Sequence, residues 1–165
     1  MSRIQTLLFG RPDTIAGTVY GTIVVMSALA AGAPEKTDPG KLAVIVTTTV
    51  LVFWIAHVYS HAIAETIALN RRLDRAEITS IVRREFAIPL AAVAPVTALA
   101  LGALGVFKAS TASWVAVLLA LSALVVQGFR YAGVEHMSRF ATLLSVAVNL
   151  ALGLSIIILK AAVSH

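Results

Sequence analysis

His57, His61 and Glu65 follow one another at four-residue intervals within an otherwise apolar run. On a helix, side chains four apart stack along one face, so these three form a polar stripe. Ionisable groups at membrane depth are costly and require a partner, water or a role. Three readings fit the stripe. Histidine changes charge near neutral pH, so a His/His/Glu ladder can relay protons or line a hydrated vestibule for a small ion. Two histidines at i and i+4 can share a divalent ion or ligate a haem, which makes His57 and His61 weak metal candidates, with Glu65 or His136 as a further ligand. In the structural reading, Glu65 lies in the headgroup region and the histidines hydrogen-bond for packing alone.

The stripe has possible neighbours on other segments. His57 lies about 16 residues beyond Lys41, roughly 24 Å along a helix, which places it in the inner half of a span. Counting inward along the fourth apolar run puts Gln127 level with His57, and Arg130 and Tyr131 near His61 or Glu65. Asp13 lies at the inner end of the first run, Tyr20 two turns deeper, and Asn149 near the middle of the last. A polar layer in the inner half of the bundle is therefore expected. Its ion-pathway candidates are His57, His61, Glu65, Gln127, Arg130 and Asn149. In this expectation the histidines line the path, Glu65 attracts cations, and Arg130 pairs with Glu65 and fixes or gates it.

The elements that must position these residues are apolar. The chain has 165 residues, of which 59% are hydrophobic and 13% charged, with a mean hydropathy of +0.91. Soluble domains sit near 45–50% apolar and about 25% charged, so lipid is the expected solvent. Apolar runs cover 14–33, 41–63, 87–107, 114–129 and 140–160. The first exceeds a signal-peptide core of about 7–15 residues, so the Ala28-Leu29-Ala30 triplet is read as part of a retained helix. Asp13 or Thr14 caps that helix, and Pro12 stops anything upstream from continuing. The helix of the second run continues past the membrane through Asn70 and Arg72. Pro89 lies near the start of the third helix, and Pro95 lies inside it and should kink it. Short polar turns are expected at 108–113 and 130–139.

Between Arg71 and Arg84 lies the main charged stretch, in which Ile78, Ile81, Val82 and Phe86 recur at helical spacing. It reads as a cytoplasmic amphipathic segment at about 71–86. Arg71, Arg72, Arg75, Arg83 and Arg84 are assigned to lipid headgroups, as a collar rather than a dedicated site, because Asp74, Glu77 and Glu85 partly offset their field. Gly17 and Gly21 form a GxxxG pair that Ala28 and Gly32 extend, a pattern for close helix packing. The threonines at 14, 18, 22 and 47–49 are read as bonding back to their own helices.

Alternating the segments puts Arg3, Arg11, Arg71, Arg72, Arg75, Arg83, Arg84, Arg130 and Arg139 on one side, and Lys36, Lys41, Lys108 and Lys160 on the other. The arginine side is expected to be cytoplasmic, with the N-terminus inside and the C-terminus outside.

The net charge of +5 and pI near 10.1 come from scattered residues, so no nucleic-acid partner is expected. The chain has no cysteine, which excludes disulfides and thiol chemistry, and no phosphate loop or dinucleotide fingerprint occurs. Neither a potassium-filter sequence nor an arginine-repeat voltage sensor is present. Catalysis is not expected, and no cofactor is assigned. The expectation is an all-α integral membrane protein, one transmembrane domain over 1–165, built as a five-helix bundle. The alternative is four spans plus one re-entrant or interfacial helix. The expected activity is conduction or transport of a small ion, protons first, by a homo-oligomer in the cell membrane. The rival readings are an accessory protein that binds a larger membrane partner and a membrane metal or haem protein.

Overall fold

The computed structural model of the protein describes residues 12–32, 37–135 and 137–163, which form helices and no strand. In chain order they are α1 (Pro12–Ala31), α2 (Pro39–Leu69), α3 (Arg75–Glu85), α4 (Ala87–Leu90), α5 (Val93–Ala103), α6 (Ala109–Val134) and α7 (Arg139–Val163). Four of them, α1, α2, α6 and α7, are long and apolar enough to cross a membrane. The bent pair formed by Arg75–Leu90 and Val93–Ala103 makes a fifth if it counts as one span.

Local chemistry sets the ends of α2 and α3. Asp38 caps α2, its Oδ1 accepting from the backbone N–H of Gly40 at 2.9 Å and of Lys41 at 3.1 Å. Pro39 occupies the first turn, where its missing N–H costs nothing. Asn70 ends the helix in the left-handed region at φ 49°, a conformation its short side chain tolerates. At 31 residues α2 is about 46 Å long, more than the ~30 Å that crossing a hydrocarbon core requires. Asp74 and Glu77 then form a reciprocal capping box that starts α3, and Arg71 grips Glu77 through both carboxylate oxygens at 2.6 and 3.0 Å.

The third apolar run is not the continuous helix expected over 87–107. It breaks at Phe86 and again at Ala91–Ala92, where the chain turns by 46°. Each break lies about one turn before a proline. Pro89 cannot donate to the carbonyl of Glu85, and Pro95 cannot donate to that of Ala91, so both ladders open where a ring replaces an N–H. The two polar turns are also shorter than expected. Helix α6 starts at Ala109 without a side-chain cap; in its first turns Ser113 bonds back to the Ala109 carbonyl at 3.2 Å and Ala112 packs closely on Gly102. It runs on through Val134, with Arg130 reaching back to Gln127 at 3.5 Å.

Helix α1 is the central strut, packed on α2, α4, α6 and α7. Gly17 lies against Ala87 and Gly21 against the backbone of Ile88, so the GxxxG face closes α1 onto the broken segment within one chain. The core above it joins Val25, Met26 and Leu29 of α1 to Leu42, Val46 and Val50 of α2, with Ile88 and Leu99. Thr18 and Thr22 bond back to carbonyls four residues earlier, both at 2.7 Å. The outward faces of α2 and α7 are apolar and exposed, including Ile55, Ile67, Phe140, Leu143 and Ile158.

Candidate functional site

The break at Phe86 decides where Glu85 goes. As the last residue of α3 it shares a face with Ile81, four residues earlier, and both are buried against the bundle. Glu85 thereby faces the histidines of α2. Its Oε2 lies 3.3 Å from Nε2 of His57, and its Oε1 lies 3.9 Å from Nε2 of His61. The Glu85 side chain is only 9% exposed, against 30% and 40% for the two histidines, so the carboxylate is the inner member of the group.

Arg84 closes the cluster from the surface. Its Nε donates to Oε1 of Glu85 at 3.0 Å, while Nη2 lies 3.3 Å from Oε1 of Glu65 and 3.2 Å from Nδ1 of His61. A guanidinium only donates, so Nδ1 of His61 must accept and the ring proton belongs on Nε2, the atom that faces Glu85. On the far side, Tyr20 of α1 stacks on His57 with ring centroids 4.9 Å apart, and His57 and His61 are 4.7 Å apart. Trp54, one turn toward the core from His57, meets Phe86 edge-on at 5.9 Å. Its buried indole N–H has no hydrogen-bond partner among the described residues.

The stripe of α2 is therefore present, but its partners differ from those expected. The cation beside Glu65 is Arg84, not Arg130, because α3 folds back along the C-terminal half of α2 and brings its own arginine there. Gln127 and Asn149 do not join the histidines. They line a separate cleft of about 470 Å³ between α1, α6 and α7, together with Tyr20, Tyr131 and Glu135. Among the described residues, Tyr20 is common to both compartments, stacked on His57 and lining the cleft. Gln127 is buried there, and Asn149 donates to the Ser145 carbonyl at 3.0 Å. The side chain of Asp13 and all of His136 lie outside the described residues.

Glu85 was missing from the expected site, and Arg84 was assigned to headgroups. The signal for Glu85 was in the sequence: it sits four residues after Ile81, on the apolar side of the amphipathic pattern, where a carboxylate needs partners. The signal for Arg84 was only its adjacency to Glu85.

Ligand atoms of His57, His61 and Glu85 all lie within 4.8 Å of one another, a set that can hold a divalent ion. Glu85 would then take the place that Glu65 or His136 had in the sequence reading. Arg84 works against such an ion, since it competes for Glu85 and directs the proton of His61 onto the nitrogen that faces the carboxylate. As it stands the arrangement is a close polar cluster of one buried carboxylate, two imidazoles and one guanidinium, hydrogen-bonded through Arg84 and reaching the surface at Glu65. No family model matches the chain, and comparison with curated proteins and with solved structures yields no match either.

Proposed function

We propose that the chain is a five-span membrane protein that moves a small cation, protons first, with Glu85, His57 and His61 as the site of uptake at the cytoplasmic end. The observation that carries this reading is the buried Glu85 carboxylate held between two imidazoles and one movable guanidinium. Membrane insertion is supported by the four long apolar helices and by the apolar outward faces of α2 and α7. Arginine-rich inner loops favour a cytoplasmic N-terminus and an outside C-terminus.

Arg84 supplies a two-position device. It sits between the carboxylates of Glu85 and Glu65, at 3.0 and 3.3 Å. A proton or cation that neutralises Glu85 removes the reason for Arg84 to stay there and leaves it with Glu65. His57 carries the proton inward, because an additional proton on Nδ1 of His61 would face Arg84. Above the cluster the core is closed and apolar at Val46, Val50, Met26 and Leu29. The route across the outer half therefore runs between protomers of a homo-oligomer.

Proton and monovalent-cation flux into liposomes holding the purified protein tests the reading, with Glu85→Gln and His57→Ala as variants. Flux in the wild type that either change reduces by about tenfold or more supports it. A correctly inserted wild type that passes nothing across a range of pH and voltage overturns it and favours the accessory role. The metal reading rests on the convergence of His57, His61 and Glu85, and elemental analysis of the purified protein decides it.

A further inference from the structure

Five arginines flank or belong to α3, and they do not behave as one collar. Arg71 is bound to Glu77, and Arg84 is bound to Glu85 and Glu65. Arg75 and Arg83 have no ion-pair partner among the described residues, and both line one cleft of about 850 Å³ between α3 and the first turn of α1. Thr14, Thr79, Ser80 and Arg84 complete its polar wall, and no carboxylate lines it among the described residues. The lining follows from helical spacing. Arg75, Thr79 and Arg83 form one row at four-residue steps, and Ala76, Ser80 and Arg84 form the row beside it. Two guanidinium groups with unused donors, flanked by hydroxyls, match the oxygen-rich, singly charged group of a phosphodiester.

We infer that this cleft binds the phosphate of an anionic phospholipid headgroup, held between Arg75 and Arg83 and hydrogen-bonded by Ser80 and Thr14, in a cationic setting that disfavours the choline cation of a zwitterionic headgroup. The cleft lies at the inner end of α1, where an apolar span begins and headgroup phosphates lie. Exposed Ile78 and Phe86 on the same amphipathic segment provide apolar surface beside it for the acyl chains. The inference stands without the transport reading, since it uses different residues. Arg84 alone belongs to both places.

Native mass spectrometry of the full chain, with phosphatidylglycerol or phosphatidylcholine added in detergent, reads the site directly. The wild type should retain one phosphatidylglycerol in preference to phosphatidylcholine. The double variant Arg75→Gln/Arg83→Gln should bind it about thirtyfold more weakly, the loss that two surface arginines carry. Arg72→Gln/Arg139→Gln removes the same charge outside the cleft and should retain the lipid. Ser80→Glu puts a carboxylate into the cleft and should mimic the loss. Equal weakening in both double variants would mean a diffuse collar and overturn the site. Retention of both lipids alike would overturn it as well. Inorganic phosphate that displaces phosphatidylglycerol at matched concentration would identify a soluble phosphate ligand and overturn the lipid assignment.

Discussion

Around Glu85 three polar groups gather from two helices: His57 and His61 from α2, and the neighbouring Arg84, which donates to it, from its own helix. Hydrogen bonds to charged groups contribute roughly 1.5–3 kcal/mol, but the Arg84 side chain is 37% exposed, so solvent screening lowers its share. Arg84→Ala should therefore cost about 1–2 kcal/mol of stability, read from thermal unfolding in detergent. The same variant should change the tautomer of His61. Nitrogen-15 spectra of labelled imidazoles should find the His61 proton on Nε2 in the wild type and a mixture once Arg84 is gone. A wild-type His61 protonated on Nδ1 would contradict the role assigned to Arg84. Pairwise convergence of this kind was only half legible in the sequence. The stripe His57, His61 and Glu65 followed from spacing on one helix, whereas Glu85 came from another helix whose approach no local pattern encodes.

At the scale of elements, glycines and prolines decide how α3 to α5 lie on the bundle. A methyl group added at Gly21 would lie 2.5 Å from the Ile88 carbonyl oxygen and 2.9 Å from its Cα, so backbone would have to move. At Gly17 the closest neighbour is the Ala87 methyl at 3.0 Å, and the gain in helix propensity of up to about 1 kcal/mol largely offsets the crowding. Gly21→Ala should cost about 1–3 kcal/mol in thermal unfolding, and Gly17→Ala much less. Equal losses would mean that α4 does not lie where the Gly21 contact puts it. The start of α3 carries a pH dependence of known sign. The hydrogen bond from Arg71 and that from the Asp74 backbone hold the Glu77 carboxyl below the usual carboxylate range. Because its folded value is depressed, its stabilisation is present above the ordinary carboxylate value and is lost as pH falls through the folded one. Amide protection factors at Glu77 and Ile78, taken against the intrinsic exchange rate at each pH, should fall on acidification, and Glu77→Gln should remove most of that change. Asp38 and Asp74 are cap-forming types that the sequence reading did not single out, and the cap expected for α1, Asp13 or Thr14, lies inside that helix. A kink at Pro95 was readable in advance. The depth of the breaks was not, since Pro89 and Pro95 act on carbonyls four residues earlier and only packing onto α1 fixes the 46° turn.

For the whole molecule the question is which ends lie on which side. The broken segment starts beside the histidines at Glu85 and ends at Gly102, which packs on Pro39 and Ala112 at the opposite ends of α2 and α6. It thus covers the same depth as the stretch of α2 from His57 to Pro39, which is the geometric basis for counting five spans. The chain has no cysteine, so single substitutions report cleanly. Arg72→Cys and Ser138→Cys should react with an impermeant maleimide from one side, and Lys108→Cys from the other. Labelling of Arg72→Cys and Lys108→Cys from one side, with Ser138→Cys from the other, would replace the five-span arrangement with four spans and a re-entrant segment.

Hydropathy and spacing are properties of the chain read one window at a time. They determined the apolar character, the long helices, the amphipathic segment and the polar stripe on α2. What touches that stripe depends on how helices far apart in sequence are brought together. Two proline breaks, and a glycine face that lets α1 approach Ile88 closely, swing α3 against α2. Glu85 and Arg84, rather than Arg130, therefore meet the histidines, and Gln127 and Asn149 fall into a separate cleft behind Tyr20. The physical reason is that each of these partnerships is an interhelical distance, set by backbone approach and bend angle, and local signals such as Gly21 and Pro95 mark that an approach or a bend occurs but not its partner or its size.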